Sequence, residues 1–241
     1  MRDGVFDIYL NRRAGPVAVS GGEFGPQTIE AQAMGDDLAL DLQAAMAALD
    51  AQIGLTIRFV DRPEQADVRF YLDTTIDLGD GGVTLGIALI NDTPGAEFWE
   101  VLLNTPELAA DPLYLRYAAR HELGHTLGLE HPFDDLDGDL YLSTNPYRSA
   151  FPEQTLMAYR EPLAGGWPQA DPASDVGALR AIWGGVDPGP SNRLIGTPAP
   201  DRLTGGSPTS SCWGWPVPIR CAVEVAATGT PVRPMGPWTG W

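Results

Sequence analysis

The sequence predicts an α+β domain followed by a tail of different character. Two observations carry the fold class: amphipathic stripes at helical spacing, and short runs alternating at period two between them. A third sets the boundary. Residues 187–241 hold 18 Gly plus Pro in 55 positions and four of the seven tryptophans, and no helical period survives there. The folded unit is therefore expected over 1–186.

Val5 to Leu10 places Phe6, Ile8 and Leu10 on one side and reads as the first strand. A loop rich in Gly, Pro and Ser follows to about Gln27. From Thr28 to about Gln52 a helix is predicted, with Leu38, Leu42, Met46, Leu49 and Ile53 as its apolar stripe and Gly54 as its stop. Strands are expected over Leu55–Val60 and Asp67–Leu72, split by the Asp61-Arg62-Pro63 turn, then over Val83–Ile90 and Phe98–Leu103. Tyr114–Leu129 reads as a second helix, and Pro132 to about Phe151 as an acidic irregular segment. A third helix has Asp171 as N-cap, Pro172 in its first turn, Val176, Leu179 and Ile182 buried, and Gly184-Gly185 as its end.

Charge narrows the function. Fifteen basic against 32 acidic residues give a net charge of −17, and every basic side chain is arginine. That balance excludes a phosphate-gripping surface and a polybasic membrane anchor, so neither nucleic acid nor membrane insertion is expected. Met1 to Arg12 is too polar for a secretory signal peptide. Cys212 and Cys221 are the only cysteines; they can form one disulfide and cannot build a cysteine-based zinc site. No signal for oligomerisation is present, and a monomer is expected.

The chain has three histidines, and all fall in the run His121-Glu122-Leu123-Gly124-His125-Thr126-Leu127-Gly128-Leu129-Glu130-His131. Residues four apart share a helix face, so His121 and His125 can hold one ion. A straight helix cannot return residue 131 to that ion. Gly128 can, because glycine tolerates the left-handed backbone of a sharp turn. Three neutral imidazoles with an open fourth position describe catalytic zinc. Glu122, next to His121, can take a proton from the zinc's water and pass it to a leaving group. A histidine pair with a neighbouring acid recurs by chance; Gly128 and His131, in a chain with no other histidine, make chance a poor explanation.

This run resembles the zinc signature of the metzincin metallopeptidases. Thr155-Leu156-Met157-Ala158-Tyr159-Arg160 is similar to their methionine turn, with Met157 beneath the metal. Tyr159 matches the tyrosine that, in the serralysin and astacin groups, binds the resting metal and then assists the oxyanion. Pro132 after His131, and the helix Asp175 to Gly184, resemble the serralysins most. Leu85-Gly86-Ile87-Ala88 resembles the edge strand that receives substrate, which assigns Gly86 and Ala88 to peptide binding. The resemblance implies a mixed, mostly parallel twisted sheet with an active-site helix and a C-terminal helix. It also implies a secreted bacterial zinc endopeptidase acting on proteins or peptides, exported in one step without an N-terminal signal. The histidine set alone also allows a zinc hydrolase of non-peptide amides or esters, or a non-catalytic zinc- and calcium-binding extracellular protein.

The family also implies structural calcium. Asp134, Asp135, Asp137 and Asp139 around Gly138 offer hard oxygens, as do Asp77 and Asp80 beside Gly81; a solvated acidic loop is the alternative for both. In the tail, Leu194 to Gly206 is similar to one turn of the calcium-binding β-roll, with Asp201 as a ligand. Pro208 and Pro216 are expected to spoil further strands. The switch to Trp-, Pro- and Cys-rich sequence after Gly206 reads as a truncated or frame-shifted end.

Overall fold

A computed structural model describes residues 4–76, 78, 82–93, 96–135, 138 and 140–186, with four strands of the tail. The chain divides into two compact units, Met1–Val186 and Asp187–Trp241. The first is α+β, built on a mixed, mostly parallel sheet.

Strand β1 (Val5–Leu10) is followed by a hairpin, β2 (Gly15–Val19) with β3 (Gln27–Ala31), and by helix α1 (Asp36–Asp50). Then come β4 (Thr56–Val60), β5 (Val68–Asp73), β6 (Gly86–Thr93) and β7 (Ala96–Asn104). A short helix α2 (Thr105–Leu108), the long α3 (Pro112–Thr126) and α4 (Ala173–Trp183) complete the unit. The sheet order is β4-β1-β5-β7-β6. The first four strands are parallel, and β6 closes one edge antiparallel to β7.

Both faces of the sheet are covered, as buried parallel strands require. Phe6, Ile8, Leu10, Val68, Phe70, Val101 and Leu103 pack against Leu38, Leu42, Met46 and Leu49 of α1 and Leu123 of α3. Tyr71 and Leu102 face the hairpin residues Val19, Ile29 and Ala31. The hairpin is also tied to the sheet's edge. Glu100, buried on β7, accepts from the N–H groups of Ser20 (3.0 Å) and Gly21 (2.9 Å) and from Asn91 Nδ2 (3.1 Å); Asn91 Oδ1 accepts from Gly22 N–H (3.0 Å).

Several expectations are corrected. Thr28–Ala31 is strand, not helix: Ile29 and Ala31 alternate inward and pair with the β-branched strand Gly15–Val19, a partner that local periodicity cannot reveal. Helix α1 starts at Asp36, where Asp36 and Asp37 complement the N-terminal dipole. Gly54 does not end that helix; Ala51 does. A β-carbon on Gly54 would sit 2.4 Å from the Trp183 carbonyl, and its N–H donates to Gly184 O at 2.7 Å, so glycine serves a close backbone approach there. Helix α3 begins two residues earlier than expected, capped by Asp111 with Pro112 in the first turn, and stops at Thr126. In α4 the N-cap is Pro172, and Asp171 lies outside with Oδ1 buried and unpartnered. Ile182 is 49% exposed, because it flanks Gly128 at the rim of the core.

In the second unit, β8 (Arg193–Ile195) pairs in parallel with β10 (Ser211–Trp213), and β9 (Arg202–Gly205) with β11 (Arg220–Val223). Partners are 18 residues apart in both pairs, so a second turn stacks on the first where one partial repeat was expected. Pro208 and Pro216, expected to spoil further strands, lie outside the described residues. Asp77, Asp80, Gly81, Asp137, Asp139, Asp201 and the side chains of Cys212 and Cys221 lie outside the described residues.

Candidate metal centre

The end of α3 builds the centre. Leu129 N–H donates to Gly124 O (3.0 Å) and Gly128 N–H to His125 O (3.0 Å), a reciprocal pair that closes the helix with Gly128 at φ +99°. This turn folds His131 back toward the helix. His131 Nε2 then lies 3.2 Å from His121 Nε2 and 3.1 Å from His125 Nε2. Among the described residues these three histidines are the one His/Cys/Asp/Glu group able to share an ion.

Hydrogen bonds fix the tautomers. His121 Nδ1 faces the Leu156 carbonyl at 2.7 Å and His125 Nδ1 the Leu129 carbonyl at 2.9 Å. A carbonyl only accepts, so each Nδ1 carries the proton and each Nε2 presents a lone pair inward. One N–H on His131 can serve only one of its two close contacts, so a shared cation fits this donor set better than a proton. A tetrahedral edge is about 1.63 bond lengths, or roughly 3.3–3.4 Å for zinc–imidazole bonds of ~2.0–2.1 Å, close to both separations. Burial and the neighbouring imidazoles push His121 down to about 3 and, with His125, His131 down to about 4; burial also lowers His125. All three are neutral at pH 7, the form that binds metal.

Two elements hold the cluster from below. The Leu156 N–H donates to Asp175 Oδ2 (2.7 Å) in the first turn of α4, while the Leu156 C=O orients His121. Tyr117 OH donates to Ala158 O (2.9 Å), on the other side of Met157. Met157 is buried, and its Sδ lies 3.0 Å from where a β-carbon on Gly124 would stand. That contact explains a glycine inside a helix. Trp183 Nε1 donates to Leu127 O (2.8 Å), tying the end of α4 to the end of α3.

Glu122 is 7% exposed, and its carboxyl group makes no hydrogen bond or ion pair among the described residues. Burial pushes its carboxyl up to about 8. Its Oε1 would be 2.6 Å from a β-carbon on Gly86, so glycine opens β6 to the carboxylate. Tyr159 is 47% exposed, with its ring 4.9 Å from His131 and 5.7 Å from His121. Burial, then the Glu122 charge, pushes its phenol up to about 12. Phe133 stacks on His131 at 4.7 Å and meets Tyr159 at 4.9 Å.

Glu122, His125, His131 and Tyr159 line a cleft of about 550 Å³ with Gly86, Ile87, Ala88, Trp99, Gly128, Leu129 and Glu130. The bond from Asn104 N–H to Leu85 O (2.8 Å) sets the ladder phase. Gly86 and Ala88 therefore turn their own N–H and C=O away from β7, along the free edge. At Ile90 the edge is covered, since Gly22 packs against its carbonyl. Sequence reasoning missed Trp99, Leu129 and Glu130 as lining residues, and Asp175, Tyr117 and Gly124 as supports; only Gly124, a glycine inside a helical pattern, carried a local signal. A larger cleft, about 900 Å³, lies at Arg12, Asp36 and Glu64, where Arg12 is paired with Asp36. Asp134 follows the centre, its N–H donating to His131 O, and Asp135 is exposed beside it.

No protein-family model matches the chain, and no curated protein matches it.

Proposed function

We propose that residues 1–186 form a zinc-dependent endopeptidase similar to the metzincins, nearest the serralysins. The observation that carries this is Glu122: a buried carboxyl group with no hydrogen-bond or ion-pair partner among the described residues, beside three converging imidazoles and below an open strand edge. A structural site has no use for such a group. His121, His125 and His131 would hold the zinc. When bound there, zinc lowers the pKa of a water molecule and polarises the carbonyl under attack.

The chain's own residues do the rest. Gly86 and Ala88 offer peptide groups to which an extended substrate can add as a further strand, which positions the scissile bond and favours unfolded segments. Glu122 removes a proton from the attacking water as the C–O bond forms and the carbonyl oxygen gains its negative charge, and then delivers that proton to the leaving amine as the C–N bond breaks. Tyr159 supplies a phenol O–H to the developing oxyanion. The open peptide edge favours peptides over small amides or esters. The same resemblance carries export from the cell and structural calcium.

Cleavage of a quenched, unfolded protein in zinc and calcium buffer tests this reading. Wild type should cut, a chelator should stop it, and Glu122→Ala should lose about a hundredfold or more while retaining zinc. A folded, zinc-loaded, inert wild type would refute it.

A further inference from the structure

Glu130 lines the cleft beside His131 and has no part in the chemistry above. Its side chain is exposed, with no hydrogen bond or ion pair among the described residues. Its backbone is held on both sides. Leu129 uses its N–H on Gly124 O and its C=O on His125, and the His131 ring stacks on Phe133. The Glu130 backbone is thus held one residue from a proposed metal ligand, with its carboxylate free to meet a substrate. The cleft lining contains Glu122 and Glu130 and no arginine, and the chain has no lysine.

A second observation has the same sign. In the β6–β7 ladder Asp92 stands directly opposite Glu97, both exposed, in phase with Gly86, Ala88 and Trp99 and so on the same sheet face. Like charges so placed oppose each other. No cation pairs with either among the described residues. Trp99 lines the cleft and offers an aromatic face to the stem and head of a long basic side chain.

We infer that Glu130 is a specificity-determining residue that selects substrates carrying arginine or lysine near the scissile bond. This rests on the peptidase reading. Glu130 meets the basic side chain, Trp99 covers its stem, and the Asp92–Glu97 pair adds to the attractive field.

The test uses the full chain and fluorogenic peptides in which each of the three positions on either side of one scissile bond is scanned as Arg, Gln or Glu. The readout is the kcat/KM ratio of Arg to Gln peptides within each variant, so changes in overall turnover cancel. Wild type should prefer Arg at one position by about fivefold, the upper end for a solvent-exposed ion pair. Glu130→Gln should bring that ratio near one, and Glu130→Arg should shift preference to Glu. Asp61→Asn, an equal charge change in the other cleft, should leave the ratio intact and so separate local contact from overall charge. If wild type cuts peptides without preference for Arg, or if Glu130→Gln keeps that preference, the inference is overturned while the peptidase reading stands. If folded, zinc-loaded wild type cuts neither the peptides nor an unfolded protein, both are overturned.

Discussion

The Gly86→Ala substitution would set a β-carbon 2.6 Å from Glu122 Oε1 and 2.8 Å from Leu103 Cδ2. Carbon–carbon contact begins near ~3.5 Å, so the overlap with Leu103 is about 0.7 Å. Leu103 is fully buried in the main core and has little room to retreat. The carboxylate must therefore give way, and a displacement near 1 Å of a catalytic group costs on the order of a hundredfold, about 2.7 kcal/mol in the barrier. Overpacking itself should cost about 1–3 kcal/mol of stability. The three atoms nearest the new methyl group belong to Glu122 and Leu103, not to the imidazoles. The expected result is a kcat/KM on an unfolded substrate reduced ~100-fold, with zinc content unchanged and a modestly lower Tm. Wild-type kcat/KM in a zinc-loaded Gly86→Ala protein would refute the placement of Glu122 as the working base.

Four other perturbations probe the supports and the metal. Gly128→Ala forces a φ of +99° on an L-residue and brings a β-carbon to 3.3 Å from Ile182; it should cost about 1–2 kcal/mol and weaken zinc affinity through His131, read by denaturation and competitive chelation. Asp175→Ala leaves the Leu156 N–H without its acceptor and should cost about 1–3 kcal/mol, with a looser His121 seen as faster zinc release. The Asp175 carboxyl is raised, chiefly by burial, so folding takes up a proton between its unfolded and folded pKa values. Its contribution is fully present below the unfolded value and lost as pH rises through the folded one. The stability of wild type relative to Asp175→Asn should therefore fall from acid toward neutral pH in denaturant titrations; a rise would contradict the assignment. Zinc removal should lower Tm, and re-addition should restore it by an amount that grows with the logarithm of free zinc.

The histidine cluster was legible because its information is local. Histidines at i and i+4 share a helix face, and one glycine marks where the chain turns back to His131. The stripe from Leu38 to Ile53 was equally plain, and every member is buried. What stayed hidden depends on partners distant in sequence. The hairpin over 15–31 looked like a loop running into a helix, since Thr28–Ala31 becomes a strand only against Gly15–Val19. Asp175 is an ordinary first-turn acid until the fold brings it to Leu156, 19 residues away. Glu130 and Trp99 share a cleft only because β7 lies beside β6 and the Gly128 turn lifts residue 130 to face them. In the tail, prolines suggested broken strands, but their spacing leaves room for the paired segments between them.

X-ray absorption at the zinc edge, on protein given one equivalent of zinc, tests the proposed open zinc site most directly. Three imidazole nitrogens at about 2.0–2.1 Å, one or two light oxygen neighbours and no sulfur are expected, with the pattern lost in His131→Ala. A sphere closed by four or more nitrogen or sulfur ligands would contradict an open catalytic zinc held by His121, His125 and His131, as would failure to bind zinc.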